Sequence, residues 1–183
     1  MALSKQKILS RIEIYSSPWI KLIEKKVSFI EEERTEIYHN LELPDYVAVI
    51  ARTPSGLIPI VCQYRPAVEK YTWELPAGIR ENGEDPEQTC RRELLEETGL
   101  RAESIRHLGT FYADTGRLDN PLHAYYVEAS EHDPDFIPKE NLKVMFVTEK
   151  KLKSLIFSGD FKLISHVAVY LLFGLCENHN QEK

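Results

Sequence analysis

Cysteine is scarce and poorly placed for crosslinking. Only Cys62, Cys90 and Cys176 occur, an odd number with no C-x-x-C spacing, which argues against a disulfide framework or a thiolate zinc site and fits a reducing compartment. Long apolar runs are also missing. The longest, residues 167–176, is half of the roughly 20 residues needed to cross a bilayer. The opening MALSKQKILSRIEIYSS has no continuous apolar core, so no signal peptide is expected. Together these absences predict a cytoplasmic chain with no membrane partner. Positive charge is not in excess: 23 Lys and Arg stand against 29 Asp and Glu, a net charge of -6. That balance disfavours a general nucleic-acid binder. There is no internal repeat and no low-complexity segment.

What is present is a chain able to build a core. It has 183 residues, 43% hydrophobic and 28% charged, the profile of a single globular domain with room for a short extra element at one end. The stretch from Gly78 to Leu100 stands apart, with glutamates at Glu84, Glu87, Glu93, Glu96 and Glu97. A helix is signalled by Asp85 as N-cap, Pro86 at its first position, Gln88 three residues after the cap, and Gly99 just past its end. Glu93 and Glu97 then stack at i and i+4, with Glu96 beside them. Like charges at this spacing repel, and anions near a helix C-terminus oppose the macrodipole. A local rule broken in this way points to a functional site, and carboxylates on a rigid element suit a hard cation such as Mg2+ or Mn2+. Cys90 and Leu94 form an apolar stripe, which predicts that the carboxylates face outward while the helix docks. The competing reading of this fragment is an ordinary solvated acidic helix end.

Residues 11–44 alternate between β-rich and charged pieces, predicting two or three antiparallel strands with EEER as a turn. Trp19 and Phe29 read as core; a Trp here could otherwise stack on a base or pack in a dimer interface. DYVAVIAR, residues 45–52, reads as a strand buried on both faces, TPSG as a turn, and LIPIVCQYR as the returning strand. Gln63 and Arg65 share one side at its exit, a pairing suited to an anion. Leu75-Pro76-Ala77-Gly78 forces a defined backbone path that exposes the Ala77 carbonyl as a further candidate metal ligand. Beyond Leu100 come two strands around the TGRLDN turn, a polar loop EHDPDFIPKENL, and a short strand KVMFVT. Thr148 is placed to cap a helix ending at Ser158-Gly159, followed by an apolar helix over residues 162–176. His166, in that helix, reads as a core residue. Periodicity alone leaves the class at α/β or α+β.

Gly78, Glu84, Arg92-Glu93-Leu94, Glu96-Glu97, Gly99 and Leu100 fall at the spacing of the Nudix box, and the chain resembles the Nudix hydrolase family at every defining position. The resemblance implies a Nudix-type α/β/α sandwich with a mixed sheet and an N-terminal antiparallel β extension, residues 1–44 forming the extension and 45–183 the hydrolase domain. It places the metal, Mg2+ or Mn2+, on the Ala77 carbonyl, Glu93, Glu96 and Glu97, with Arg92 orienting the cluster. Gly78 and Gly99 become shape residues, and Glu84 a group at the helix start. QYR, a spacer and ELPAG before the box look like the ADP-ribose and nucleotide-sugar pyrophosphatases of the family. By that likeness Arg65 and Glu74 contact a nucleoside diphosphate sugar, an aromatic from the N-terminal half stacks on the base, and the enzyme is a homodimer joined through its N-terminal strands. Thr115 stands where ADP-ribose-specific members carry Pro before Gly, a departure that counts against ADP-ribose specificity; ADP-ribose is the first candidate and GDP-mannose the second. Glu140, with Glu131 behind it, is the loop glutamate proposed as catalytic base. Two alternatives stay open: a hydrolase of nucleoside triphosphates or dinucleoside polyphosphates, and a sensor that binds nucleotide sugars without cleaving them.

Overall fold

A computed structural model describes residues 5–181. Its strands are β1 (Gln6–Ser16), β2 (Lys21–Phe29), β3 (Arg34–Glu42), β4 (Tyr46–Arg52), β5 (Ile58–Arg65), β6 (Lys70–Glu74), β7 (Ala77–Ile79), β8 (Ala102–Tyr112), β9 (Pro121–Ala129) and β10 (Lys143–Val147). The helices are α1 (Pro86–Thr98), α2 (Glu149–Ser158) and α3 (Ile164–Gln181). The chain divides into two compact units, Met1–Asp45 with Tyr112–Pro121, and Tyr46–Phe111 with Leu122–Lys183.

In the first unit β1, β2 and β3 form an antiparallel sheet in that order. The expected EEER turn is a 3-10 turn over Ile30–Glu32 closed by Glu33 in the left-handed region at φ 48°. Arg117 adds a backbone hydrogen bond to Leu41 at 2.8 Å, so the turn after β8 belongs to this unit. Every residue of β1 is exposed, among them Ile8, Leu9, Ile12, Ile14 and Tyr15. Trp19 departs from the expectation of a core residue: it lies in the turn between β1 and β2 and is 70% exposed. Phe29 is half-buried, with the Arg34 guanidinium 3.8 Å above its ring.

The second unit holds two sheets, β10-β5-β6 and β7-β4-β9-β8. Strand β4 runs parallel to β9 and antiparallel to β7, so the sheet is mixed. As the apolar run predicts, β4 is buried on both faces. Ala48 and Ile50 join Ile58 and Ile60 of β5, Leu152 and Leu155 of α2, and Val169, Tyr170 and Phe173 of α3 in one core. Val47, Val49 and Ala51 point the other way, against Cys90 and Leu94 of α1 and Leu100. Helices therefore cover both faces, the sandwich that the alternating elements imply. Helix α2 is capped by Thr148, whose side chain accepts from the Lys151 N–H, and it stops at Gly159, as expected. The backbone path forced at Leu75-Pro76-Ala77-Gly78 joins two strands, β6 and β7, each in a different sheet. Pro76 hides this from sequence patterning, because it interrupts the run at the crossing between them.

Candidate active site

Helix α1 is built as its caps dictate. The Asp85 side chain accepts from the Gln88 N–H at 2.8 Å, and the Gln88 side chain accepts from the Asp85 N–H at 2.9 Å, a complete capping box. Gly99 closes the helix at φ 75°, and its N–H reaches the Leu95 carbonyl. A Cβ at Gly99 would also run into the Phe136 ring, so this glycine answers both a backbone and a packing demand.

The carboxylates do not face outward as expected. Glu93 and Glu97 are buried, at 9% and 8% exposure, alongside Cys90 and Leu94; only Glu96 is partly open. The reason is β7, which lies against this side of α1. The Ala77 N–H donates to Glu97 Oε2 at 3.0 Å, which sets the Ala77 backbone against that carboxylate. Gly78 permits the approach to Glu93: a Cβ there would occupy the space of the Glu93 carboxylate. Burial pushes the Glu97 carboxyl up to about 7, only partly opposed by the Ala77 hydrogen bond, and burial likewise raises Glu93 against the pull of Arg92.

Arg92 binds the cluster together. Its Nε and Nη2 hold both oxygens of Glu84 at 2.7 and 3.0 Å, and its Nη1 reaches Glu93 at 2.6 Å and Glu96 at 3.8 Å. Thr89 adds a hydrogen bond to Glu84 at 2.9 Å. Arg92 above all, with Thr89, holds the Glu84 carboxyl down at about 2. Glu84 is thus tied to the helix through Arg92, eight residues on. Lys139, which sequence reasoning did not single out, donates to Glu96 at 2.6 Å. Nothing in a polar loop of mixed charges distinguishes this lysine until the fold brings it to α1. Its neighbour Glu140 is exposed on the same loop. Glu131 is placed elsewhere, accepting at 3.3 Å from Ser55 in the turn after β4.

Arg65 and Glu74 meet across the β5–β6 hairpin. The guanidinium grips both carboxylate oxygens, with Nε to Oε1 at 2.9 Å, and Thr72 also donates to Glu74. Glu74 is 2% exposed; burial would raise its carboxyl, but the Arg65 and Thr72 hydrogen bonds outweigh that and hold it below the usual range. The Arg65 fork, expected to be free for phosphate, is therefore engaged by Glu74 in this structure. The charge of Arg65 is also felt at Glu97, so the hairpin end and the acidic helix share one electrostatic site.

Glu93, Glu96 and Glu97 are each engaged by a different donor, and among the described residues no three His, Cys, Asp or Glu groups converge at metal-binding distance. The donor chemistry nevertheless fits a hard divalent cation. The set is all oxygen, two of its carboxylates are desolvated, the charge of Glu93 adds to the upward push on Glu97, and Gly78 keeps the space beside Glu93 clear of side-chain atoms.

The family model of the NUDIX domain matches residues 43–167. The chain belongs to the Nudix hydrolase family. It is 32% identical over 159 residues to the ADP-ribose pyrophosphatase of Bacillus subtilis (strain 168), covering 85% of each chain. It is 33% identical over 140 residues to the ADP-sugar pyrophosphatase of Mus musculus, covering 70% of this chain and 64% of the mouse protein. Among solved structures, one described as an ADP compounds hydrolase superposes with a TM-score of 0.82 over 98% of both chains at 16% identity; at that identity it supports the fold alone. No described helix of this Nudix protein is long and apolar enough to cross a membrane.

Proposed function

We propose that this Nudix hydrolase is a divalent-metal-dependent pyrophosphohydrolase of a nucleoside diphosphate sugar, with ADP-ribose as the first candidate and GDP-mannose the second. The observation carrying this reading is the pair of buried carboxylates, Glu93 and Glu97, pressed against the Ala77–Gly78 backbone. Two acids held four residues apart in a desolvated site destabilise the fold, and a cation turns that cost into binding. The relatives named as ADP-ribose and ADP-sugar pyrophosphatases support the substrate class.

Glu93, Glu96, Glu97 and the Ala77 carbonyl would hold Mg2+, or Mn2+ in its place. When bound, the cation supplies charge that neutralises the diphosphate oxygens and lowers the pKa of the attacking water. Arg92 keeps the acidic face in register by fixing Glu84, Glu93 and Glu96 at once. Arg65 exchanges part of its contact with Glu74 for the substrate phosphate, a site it can serve because its fork is already oriented. Glu140, on the loop whose Lys139 reaches Glu96, takes the water proton. The water oxygen bonds to one phosphorus as the phosphoanhydride P–O bond breaks, leaving a nucleoside monophosphate and a sugar phosphate.

Offered ADP-ribose, GDP-mannose and nucleoside triphosphates in turn, purified protein with Mg2+ or Mn2+ should release these two products from a nucleotide sugar, and Glu97→Gln should lose at least about 100-fold in kcat. Inorganic pyrophosphate as the product would identify a triphosphatase instead. Tight binding without turnover would identify a sensor, and near-full activity of the variant would sink the metal assignment.

The same reading makes the protein a cytoplasmic homodimer. The first unit carries Ile8, Ile12, Ile14 and Tyr15 exposed on β1 and Ile37 on β3, more apolar surface than a solvated sheet retains without a partner. Light scattering should give twice the chain mass of 21.2 kDa; the single-chain mass at micromolar concentration would refute the dimer.

A further inference from the structure

The chain crosses from one sheet to the other over Leu75 and Pro76, between β6 and β7. Such a crossing leaves backbone groups outside any strand ladder, and at full burial each needs another partner. Three ties meet that need. The Pro76 carbonyl accepts from the Val49 N–H at 2.9 Å, Ala77 N–H goes to Glu97 at 3.0 Å, and Leu75 N–H donates to His166 Nδ1 at 3.1 Å. Leu75 is 0% exposed, so without the imidazole its N–H would be an unpaired donor in the core.

His166 carries a cost that a packing residue would avoid. Since Nδ1 accepts, Nε2 bears the proton, and Nε2 is buried with no hydrogen-bond partner among the described residues. A buried unpaired donor costs about 1–3 kcal/mol. Burial pushes the imidazole down to about 4, which keeps Nδ1 an acceptor at neutral pH. The chain leading into α3 is tied to the same region once more: the carbonyl of Asp160, four residues before the helix, accepts from the Trp73 N–H at 3.4 Å.

We propose that His166 is a positioning residue for the hydrolytic site: through Leu75 N–H it sets the height of the crossing segment, and thereby holds Glu74 at one end and the Ala77 clamp on Glu97 at the other. This rests on the pyrophosphohydrolase reading for its metal, and on geometry alone for the link from α3 to Ala77. An asparagine Oδ1 sits where Nδ1 sits, whereas a glutamine oxygen sits where Nε2 sits and a leucine offers no acceptor.

The test compares His166→Leu, His166→Asn and His166→Gln in the full-length protein. Three measurements are made on each: Mn2+ affinity without substrate by electron spin resonance, kcat and KM with the best substrate, and amide exchange at Leu75 and Ala77. His166→Leu should weaken Mn2+ binding and lower kcat, each about tenfold, with KM little changed, and should speed exchange at both amides. His166→Asn should recover most of all three. Should His166→Leu fail to fold, the Asn and Gln variants decide, with Gln behaving as the loss and Asn as the recovery. Unchanged Mn2+ affinity, kcat and Ala77 exchange beside a lowered Tm would overturn the proposal and leave a packing residue. If the wild type itself binds no Mn2+, the metal reading fails, and Ala77 exchange alone then supports or refutes the positioning role.

Discussion

Strand β4 presents two faces that are equally buried and differently composed. Toward α2 and α3 it meets Leu152, Leu155, Val169 and Phe173, large side chains that fill space and carry no charge. Toward α1 it meets Cys90, Leu94 and Leu100, and the same helix buries Thr89, Glu93, Glu97 and Thr98 as well. A face selected for stability alone would resemble the first. The second gives up dispersion and hydrophobic gain to hold ionisable groups in a dry place. The two sides of one strand thus separate the part that holds the fold from the part that does the chemistry, and each should fail in its own way when cut.

The largest contrast comes from one substitution on each side. Gly78→Ala inserts a methyl group where the Glu93 carboxylate lies. Since the obstacle is the far end of a side chain, the fold should survive while Glu93 swings away, and kcat should fall about 100-fold with little change in Tm. Leu152→Ala empties a fully buried site and should cost about 3 kcal/mol of stability with kcat of the folded protein unchanged. Thermal melts and initial rates on the two variants check both halves. Equal losses of Tm and kcat in both would mean that the faces are not specialised.

Sequence and structure agree most closely where local chemistry acts alone. Asp85, Pro86, Gln88 and Gly99 delimit α1 residue for residue, because caps are short-range interactions. The double-sided burial of β4 was legible in its unbroken apolar run. The direction of the carboxylates was legible in part: a helical wheel puts Cys90, Glu93, Leu94 and Glu97 within one arc of about 100°, contrary to the outward face expected, but it cannot know that β7 will lie over that arc. Lys139 stayed hidden for the same reason, since its partner Glu96 is 43 residues away. His166 was read correctly as core, yet its tie to Leu75 spans 91 residues and required the crossing between sheets to exist first. Trp19 went the other way, because it falls in the turn between β1 and β2 rather than on a strand.

A smaller and subtler effect separates the two faces by the sign of their proton linkage. On the α1 side, burial raises Glu97 from 4.5 to about 7, so the folded protein binds more protons than the unfolded chain between those values, and this group's contribution to stability falls as pH rises through the window. On the α3 side, burial lowers His166 from 6.5 to about 4; there the unfolded chain binds more protons, and stability is lost as pH falls. Each linkage is worth up to about 3 kcal/mol, and the two nearly cancel in the metal-free protein between pH 4.5 and 6.5. Denaturant titrations in a chelator should therefore show Glu97→Gln losing stability toward acid more steeply than wild type, and His166→Asn less steeply. Parallel curves for the three proteins would mean that neither group is held away from its ordinary protonation by the fold. Divergence in the stated directions would show that both faces resist charge, one to keep a site ready for a cation and the other to keep a nitrogen free to accept.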